Sequence, residues 1–202
     1  TSFGRHLGKV DIISALATLS FDKRRSAYFS KELITILRLI DKKKVKLENL
    51  YGSWAGAHGN FQFMPSSIKN YAIDYDKDGQ IDLVNSLEDS FASAANYLKT
   101  IGWNKKISWG YKAISADKID NSLVTIDARK LKKTLSRNDL INNKISIKNN
   151  KKAIGNFKLI RPDGKDGPIF LVTTNYEKLL NWNRSLRFAI TVGLFADLLK
   201  NA

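Results

Sequence analysis

The sequence predicts an α+β protein, mainly α, in which a helical body is interrupted by a small β-rich insertion. Three observations carry that prediction. Apolar residues recur near a 3.6-residue period before Trp103 and again after Tyr176. Between them, NSLVTID, NKISIK, GNFKLIRP and PIFLVTT are short β-like runs separated by turn signals such as Pro162-Asp163-Gly164. No repeat or low-complexity linker divides the chain. The organisation expected is a helical part over 1–103, a β-rich insertion over 104–174, and C-terminal helices over 175–202 that return to the helical body.

The first helix is read over Val10 to Leu19, where Ile12, Ile13, Leu16 and Leu19 share a face. Ser26 to Ile40 repeats the signal, and DKKKVK at 41–46 ends that helix in charge. A glycine-rich loop follows. Pro65 suits the first turn of the next helix, where its missing N–H is no loss. DYDKDG at 74–79 is turn chemistry. Ser86 with Asp89 makes a capping-box variant, Asp replacing the usual Glu or Gln, and opens a helix running to Ile101 with Gly102 as its stop. Within the β-rich region, ARKLKKTLS at 128–136 reads as a short helix. From Tyr176 the spacing of Leu179, Leu180, Leu186, Ala189, Ile190, Leu194 and Leu198 is helical again.

A chain of 202 residues with 43% hydrophobic residues can bury a core of its own. Its net charge of +15 points to an anionic partner: nucleic acid, a membrane surface or an acidic polymer. Enrichment in Lys and Asn, as in NNKISIKNNKK at 142–152, gives the same charge with no partner at all. No helix-turn-helix or RNA-binding signature accompanies the charge, so nucleic acid is not the partner expected. The absence of Cys excludes a disulfide framework and thiolate catalysis. The most apolar late segment, Phe188 to Ala196, is too short for a bilayer crossing of ~20 residues. With no signal peptide, and with Met64 as its only Met, the chain reads as a processed protein or a fragment.

Asp74, Asp76 and Asp78 alternate along the chain and Gly79 follows. This matches the start of a calcium loop, where oxygens at positions 1, 3 and 5 converge and Gly at 6 permits the turn. Gln80 then offers its carbonyl at position 7. The closing bidentate Glu is replaced by Asn85, so Glu88 or Asp89 closes the shell instead. The ligand set expected is Asp74, Asp76, Asp78, Gln80 and Asp89, around a structural Ca²⁺. A solvated Asx-rich turn is the other reading, but three carboxylates so close repel one another unless a cation sits among them.

Gly52 to Ser67 reads GSWAGAHGNFQFMPSS. Its glycines and alanines leave room for a close approach. Trp54, Phe61, Phe63 and Met64 offer flat apolar surface, and Gln62 sets one amide among them. The alternative for Phe63 and Met64, as for Trp182 near the end of the chain, is core packing. The search for a catalyst finds little. There is no Gly-x-Ser-x-Gly elbow. Of the four glutamates, Glu32 lies in an ordinary amphipathic helix, and none stands in the apolar setting that raises a carboxyl pKa for acid work. By themselves these residues form a binding cleft without an obvious catalyst.

Three runs, TSFGRHLGKVDIISALATLSFDKRRSAYFSKEL (1–33), GSWAGAHGNFQFMPSSIKNYAIDYDKDGQIDL (52–83) and ASAANYLKTIGW (92–103), together with the ending NWNRSLRFAITVGLFADLL, resemble the membrane-bound-lytic-transglycosylase-B family of peptidoglycan lytic transglycosylases. The resemblance is weakest between about 104 and 165. It implies a lysozyme-like helical domain with an EF-hand-like calcium loop and a small β-rich insertion. It implies cleavage of the β-1,4 bond between N-acetylmuramic acid and N-acetylglucosamine, leaving a 1,6-anhydro-muramoyl end. Peptidoglycan glycan strands are the partner implied, with no catalytic cofactor, in the periplasm or envelope of a Gram-negative bacterium, as a monomer, and with any membrane association made through segments outside this sequence.

By position, the resemblance carries substrate-binding roles to Arg24, Arg25, Tyr28, Ser53, Gln62, Phe63, Met64, Tyr97, Trp182 and Asn183. Trp182 and Phe188 stand where a relative has Tyr, which keeps stacking surface and loses a hydroxyl. The family motif is Glu-Thr-x-Phe-Gly, and this sequence starts at Thr1-Ser2-Phe3-Gly4. The catalytic Glu is therefore expected immediately before Thr1, and a chain without it is expected to bind peptidoglycan rather than cut it.

Overall fold

The computed structural model describes residues 4–116, 119–148 and 155–200; Thr1, Ser2 and Phe3 and part of the Lys/Asn-rich run lie outside them. Two compact units divide the chain, residues 1–101 and 102–202.

In the first unit, β1 (Val10–Asp11) leads directly into α1 (Ile12–Phe21). The helix starts two residues later than its apolar pattern because Asp11 is its N-cap, accepting the Ser14 N–H at 2.7 Å. After α2 (Ser26–Asp41) and a 3₁₀ turn at Leu47–Asn49, β2 (Tyr51–Gly52) pairs antiparallel with β1. α3 (Pro65–Tyr71) has Pro at its first turn, and α4 (Leu87–Thr100) ends before Gly102, whose φ is +89°. The core is the overlap of the apolar stripes: Ile12 and Leu16 of α1, Phe29 and Ile36 of α2, and Ile68 of α3 are all buried. Each buried aliphatic of this kind contributes about 1.5–3 kcal/mol.

The second unit is built on a five-stranded sheet in the order β4-β6-β7-β3-β5. Its strands are β3 (Gly110–Ser115), β4 (Val124–Thr125), β5 (Ile145–Ile147), β6 (Lys158–Ile160) and β7 (Ile169–Val172). Only β4 and β6 run parallel. All four residues of β7 are buried, which is why that run is continuously apolar and not alternating. The helix expected over 128–136 is not formed. Lys132 N–H is held by Thr125 Oγ1 at 2.8 Å, and Leu135 pairs with Phe157 through both backbone bonds. The helix there is α5 (Arg137–Asn142), opened one step later by a reciprocal capping box between Ser136 and Asp139.

α6 (Thr174–Trp182) and α7 (Leu186–Lys200) belong to the second unit. Trp109 explains the grouping. Its ring lies against Phe170 and Tyr176, its Nε1 donates to Asp197 at 3.0 Å, and Gly193 makes room for it, since any Cβ there would overlap the indole. Buried Asn175 accepts Asn104 N–H and donates to the Asn104 and Ile107 carbonyls. No helix among the described residues is long and apolar enough to cross a membrane.

Candidate active site

The 52–66 stretch folds as a tight hairpin. His58 and Phe63 exchange backbone hydrogen bonds at 2.9 and 2.8 Å, and Ser53 Oγ accepts the Ala57 and Ala55 N–H groups at 3.0 and 3.3 Å. Gly56 and Gly59 sit at positive φ, +85° and +74°. A Cβ on Gly56 would lie 2.5 Å from Leu16 Cδ2, and one on Gly59 would lie 2.5 Å from the Leu83 carbonyl oxygen. The glycines therefore admit the protein's own atoms. The close approach that the sequence leaves room for is made at these two glycines by α1 and the 83 segment.

Gln62 sits at the tip of the hairpin with φ +54°, a left-handed conformation unusual for a residue with a long side chain. What holds it there is its own amide. Nε2 donates to the Gly59 carbonyl at 3.0 Å and to the Leu7 carbonyl at 3.1 Å. The donor end is thus committed to joining the hairpin to the 7 segment, and the Oε1 end remains to accept. Met64, half-buried, and Pro65 follow and start α3.

Phe63 is buried at 3% exposure, its ring 5.9 Å from that of Tyr97, which in turn meets Tyr71 edge-on at 4.7 Å. Burial raises the Tyr97 phenol above its ordinary value, with Tyr71 adding to the effect, so Tyr97 stays neutral. Just before α2, Arg24 is exposed, and the guanidinium of Arg25, the helix's N-cap, lies 4.4 Å from the ring centroid of Tyr28. Burial raises the Tyr28 pKa, the Glu32 charge adds to the rise, and Arg25 opposes it.

Glu32 was missed by sequence reasoning. It is 2% exposed, and its Oε2 accepts the Ser66 N–H at 2.7 Å. It therefore caps α3 from outside, in place of Met64, which cannot. A signal existed: Glu32 lies between Phe29 and Ile36 on the buried stripe of α2, where a carboxylate needs a partner. Through it, α2, with Arg25 and Tyr28, is fixed to the segment carrying Gln62, Phe63 and Met64. Phe63 and Tyr97 extend that chain of contacts to α4. Trp182 is half-buried at the end of α6 in the second unit, and Asn183 is that helix's exposed C-cap.

His58 is buried beneath the hairpin with Nδ1 3.1 Å from the Tyr51 carbonyl. Burial lowers its pKa below 6.5, against the pull of that carbonyl and of Asp82. The unfolded chain then takes up a proton before the folded one does. Stability should be complete above pH 6.5 and fall as pH drops below it. Urea melts taken on both sides of that pH should show the loss, and His58→Gln should flatten it. Identical pH slopes for the two proteins would contradict this account of His58.

The acidic loop is organised by Asp89. At 1% exposure it accepts the Tyr75 N–H at 2.7 Å through Oδ1 and the Asp82 N–H at 2.9 Å through Oδ2. Ser86 Oγ accepts the Asp89 N–H at 3.1 Å, but the return bond of the expected capping box is absent because both Asp89 oxygens serve the loop. Carboxylate oxygens of Asp74, Asp76 and Asp89 lie within 4.8 Å of one another. Asp74 Oδ1 and Gln80 Oε1 are buried with no hydrogen-bond partner. Asp74 thus brings an unpartnered oxygen to the gathered carboxylates, and Gln80 of the same loop holds another; oxygens of this kind are what a hard cation takes. Asp78 stands outside this group, its Oδ1 accepting the Gln80 N–H at 2.8 Å, and Glu88 is exposed. Gln80 offers a side-chain oxygen here in addition to the main-chain carbonyl expected from the loop pattern.

Comparison with known proteins identifies the fold. A family model described as the transglycosylase SLT domain matches residues 1–197. Over 106 residues, 52% of this chain and 29% of the relative, the chain is 50% identical to membrane-bound lytic murein transglycosylase B of Escherichia coli (strain K12). Among solved structures, SltB3 from Pseudomonas aeruginosa in complex with NAG-anhNAM-pentapeptide has a TM-score of 0.87 at 32% identity, over 99% of this chain and 53% of that one. The Escherichia coli lytic transglycosylase Slt35 in complex with calcium has a TM-score of 0.82 at 33% identity, over 100% of this chain and 64% of that one. The chain spans about half of the length of SltB3 and less of the curated relative. With 197 of its residues under one family model and a lysozyme-like fold shared with solved members, the chain belongs to the transglycosylase SLT-domain family.

Proposed function

We propose that the protein is a peptidoglycan lytic transglycosylase that cleaves the β-1,4 bond between N-acetylmuramic acid and N-acetylglucosamine and leaves a 1,6-anhydro-muramoyl end. The observation that supports this most is the family match across residues 1–197, joined to relatives solved with NAG-NAM-pentapeptide and NAG-anhNAM-pentapeptide bound. The chemistry needs one acid that turns base. A carboxylic acid protonates the glycosidic oxygen as its bond to muramoyl C1 breaks. The resulting carboxylate takes the proton of the muramoyl 6-hydroxyl as O6 bonds to C1, so no water is consumed. This departs from the two-carboxylate pattern of most glycosidases. The acid is the glutamate expected immediately before Thr1.

Arg24, Arg25, Tyr28, Ser53, Met64 and the Oε1 of Gln62 bind the glycan in this proposal; Trp182 and Asn183, at the end of α6, are proposed separately as glycan-binding residues. Phe63 and Tyr97, being buried, support the cleft from behind. A structural Ca²⁺ is held by Asp74, Asp76, Asp89 and Gln80; it supplies charge balance to the loop and takes no part in the reaction. The expected setting is the periplasm or envelope of a Gram-negative bacterium, with the protein acting as a monomer. The test is the chemical form of the soluble products released from purified peptidoglycan. Anhydro ends support the proposal, and reducing ends or no products oppose it.

A further inference from the structure

The second unit contains a cavity of about 530 Å³ that the glycan-cleaving chemistry does not use. It opens where β6 and β7 are joined by the turn Arg161 to Pro168. Ile114, Ile119 and Ile169 give it an apolar side. Arg161 and Lys165 bring two positive charges to it, and Asn121 a neutral amide. Asp166 also lies on the rim and forms no ion pair with either cation among the described residues.

Arg161 is the informative residue. Its backbone is fixed by an N–H bond to the Thr125 carbonyl at 2.9 Å. Its guanidinium Nε is buried and has no hydrogen-bond partner. A buried charged donor left unpaired is costly, so such groups ordinarily have a partner. The nearest carboxylate in sequence, Asp163, is occupied by Arg187 at 2.7 Å. Arg161 thus lines a half-apolar cavity with no ion-pair partner among the described residues, and the acid nearest it in sequence is directed elsewhere. A planar guanidinium is matched by a carboxylate, which it binds through two parallel bonds. The cavity lies in the size range of small-ligand sites, and its isoleucines suit short alkyl side chains.

We propose that this cavity binds a carboxylate of the acidic peptide that peptidoglycan carries, with Arg161 as the anchoring residue and Lys165 as a secondary charge. The site rests on the peptidoglycan reading for the identity of its ligand, but it can be tested apart from it. Three probes are titrated into the 202-residue chain: the free peptidoglycan pentapeptide, the same peptide with its carboxylates amidated, and an N-acetylglucosamine oligomer with no peptide. The free pentapeptide should bind and shift amide resonances of Ile114, Ile119 and Ile169. The amidated peptide should bind about tenfold more weakly, the factor expected for loss of a charge-assisted hydrogen bond. Arg161→Gln should weaken the free peptide by the same factor and leave the oligomer unchanged. Lys165→Gln, on the exposed turn, should weaken it by a smaller factor, and it carries the test with the amidated peptide should Arg161→Gln melt early.

Equal binding of the free and amidated peptides, or no binding of either, overturns the inference. Oligomer binding without peptide binding would do so while leaving the glycan reading intact. Peptide binding that depends on Arg161, with no engagement of the oligomer, would keep the cavity as a carboxylate site and count against the glycan cleft.

Discussion

Gln62→Glu is expected to lower release of soluble muropeptides on the order of 10²-fold, the cost of misplacing catalytic groups by about 1 Å. The assay uses a form of the protein that extends upstream through the glutamate expected before Thr1. The substitution is nearly isosteric, but it removes the only donor of the side chain. Two bonds then vanish together, to the Gly59 and Leu7 carbonyls, and a carboxylate faces both oxygens instead. Leu7 follows the Thr1-Ser2-Phe3-Gly4 motif in sequence, and the 7 segment and the hairpin lose the tie between them. At about 1 kcal/mol for each hydrogen bond, the melting temperature should also fall by roughly 4–8 °C.

Gln62→Gly separates the two effects. It loses the same bonds but relieves the left-handed φ of +54°, so its stability loss should be smaller while its activity loss persists. Full turnover per folded molecule in both variants would reduce Gln62 to a structural tie with no part in the cleft.

The second large effect is on stability. Millimolar calcium should raise the melting temperature by about 5–10 °C over the chelated protein, as expected for a cation at roughly 100 times its dissociation constant. The gain has an identified source. Asp74, Asp76 and Asp89 place carboxylate oxygens within 4.8 Å of one another, and Asp74 Oδ1 and Gln80 Oε1 have no partner of their own. Asp76→Ala should abolish the calcium response and leave the chelated protein no less stable, because one of three repelling charges is gone. Asp89→Asn should destabilise with or without calcium, since its oxygens also hold the Tyr75 and Asp82 N–H groups. Coincident melts for the parent protein would mean that the loop is a solvated turn.

Those two sites also show where the sequence was legible. The helices were, because α2 and α4 each bury one stripe and expose the other, and a 3.6-residue period records that directly. The alternating aspartates were legible too, as a spacing. Their final arrangement was not. Asp78 lies outside the group that Asp74, Asp76 and Asp89 form, which the spacing does not encode. The glycines at 56 and 59 were recognised as sites of close approach, but what approaches is Leu16 and Leu83, distant in sequence.

Glu32 and Arg161 escaped for a similar reason. Each looks ordinary among its sequence neighbours and takes its meaning from burial, one against the Ser66 N–H and the other in a cavity beside the sheet. α5 was displaced from its expected place because Ser136 and Asp139 cap it reciprocally, a local signal weaker to the eye than the run of Lys and Leu before it.

The central claim is non-hydrolytic cleavage of the glycan strand. Its most direct test is mass spectrometry of soluble products from purified peptidoglycan, digested in heavy-oxygen water by a form of the protein extended upstream through the glutamate expected before Thr1. A glutamine version at that position serves as control. Muropeptides lighter by one water than hydrolysis products, carrying no heavy oxygen and absent from the control, are the predicted result. Products with heavy oxygen at the new reducing end, or equal release by the glutamine control, would contradict it.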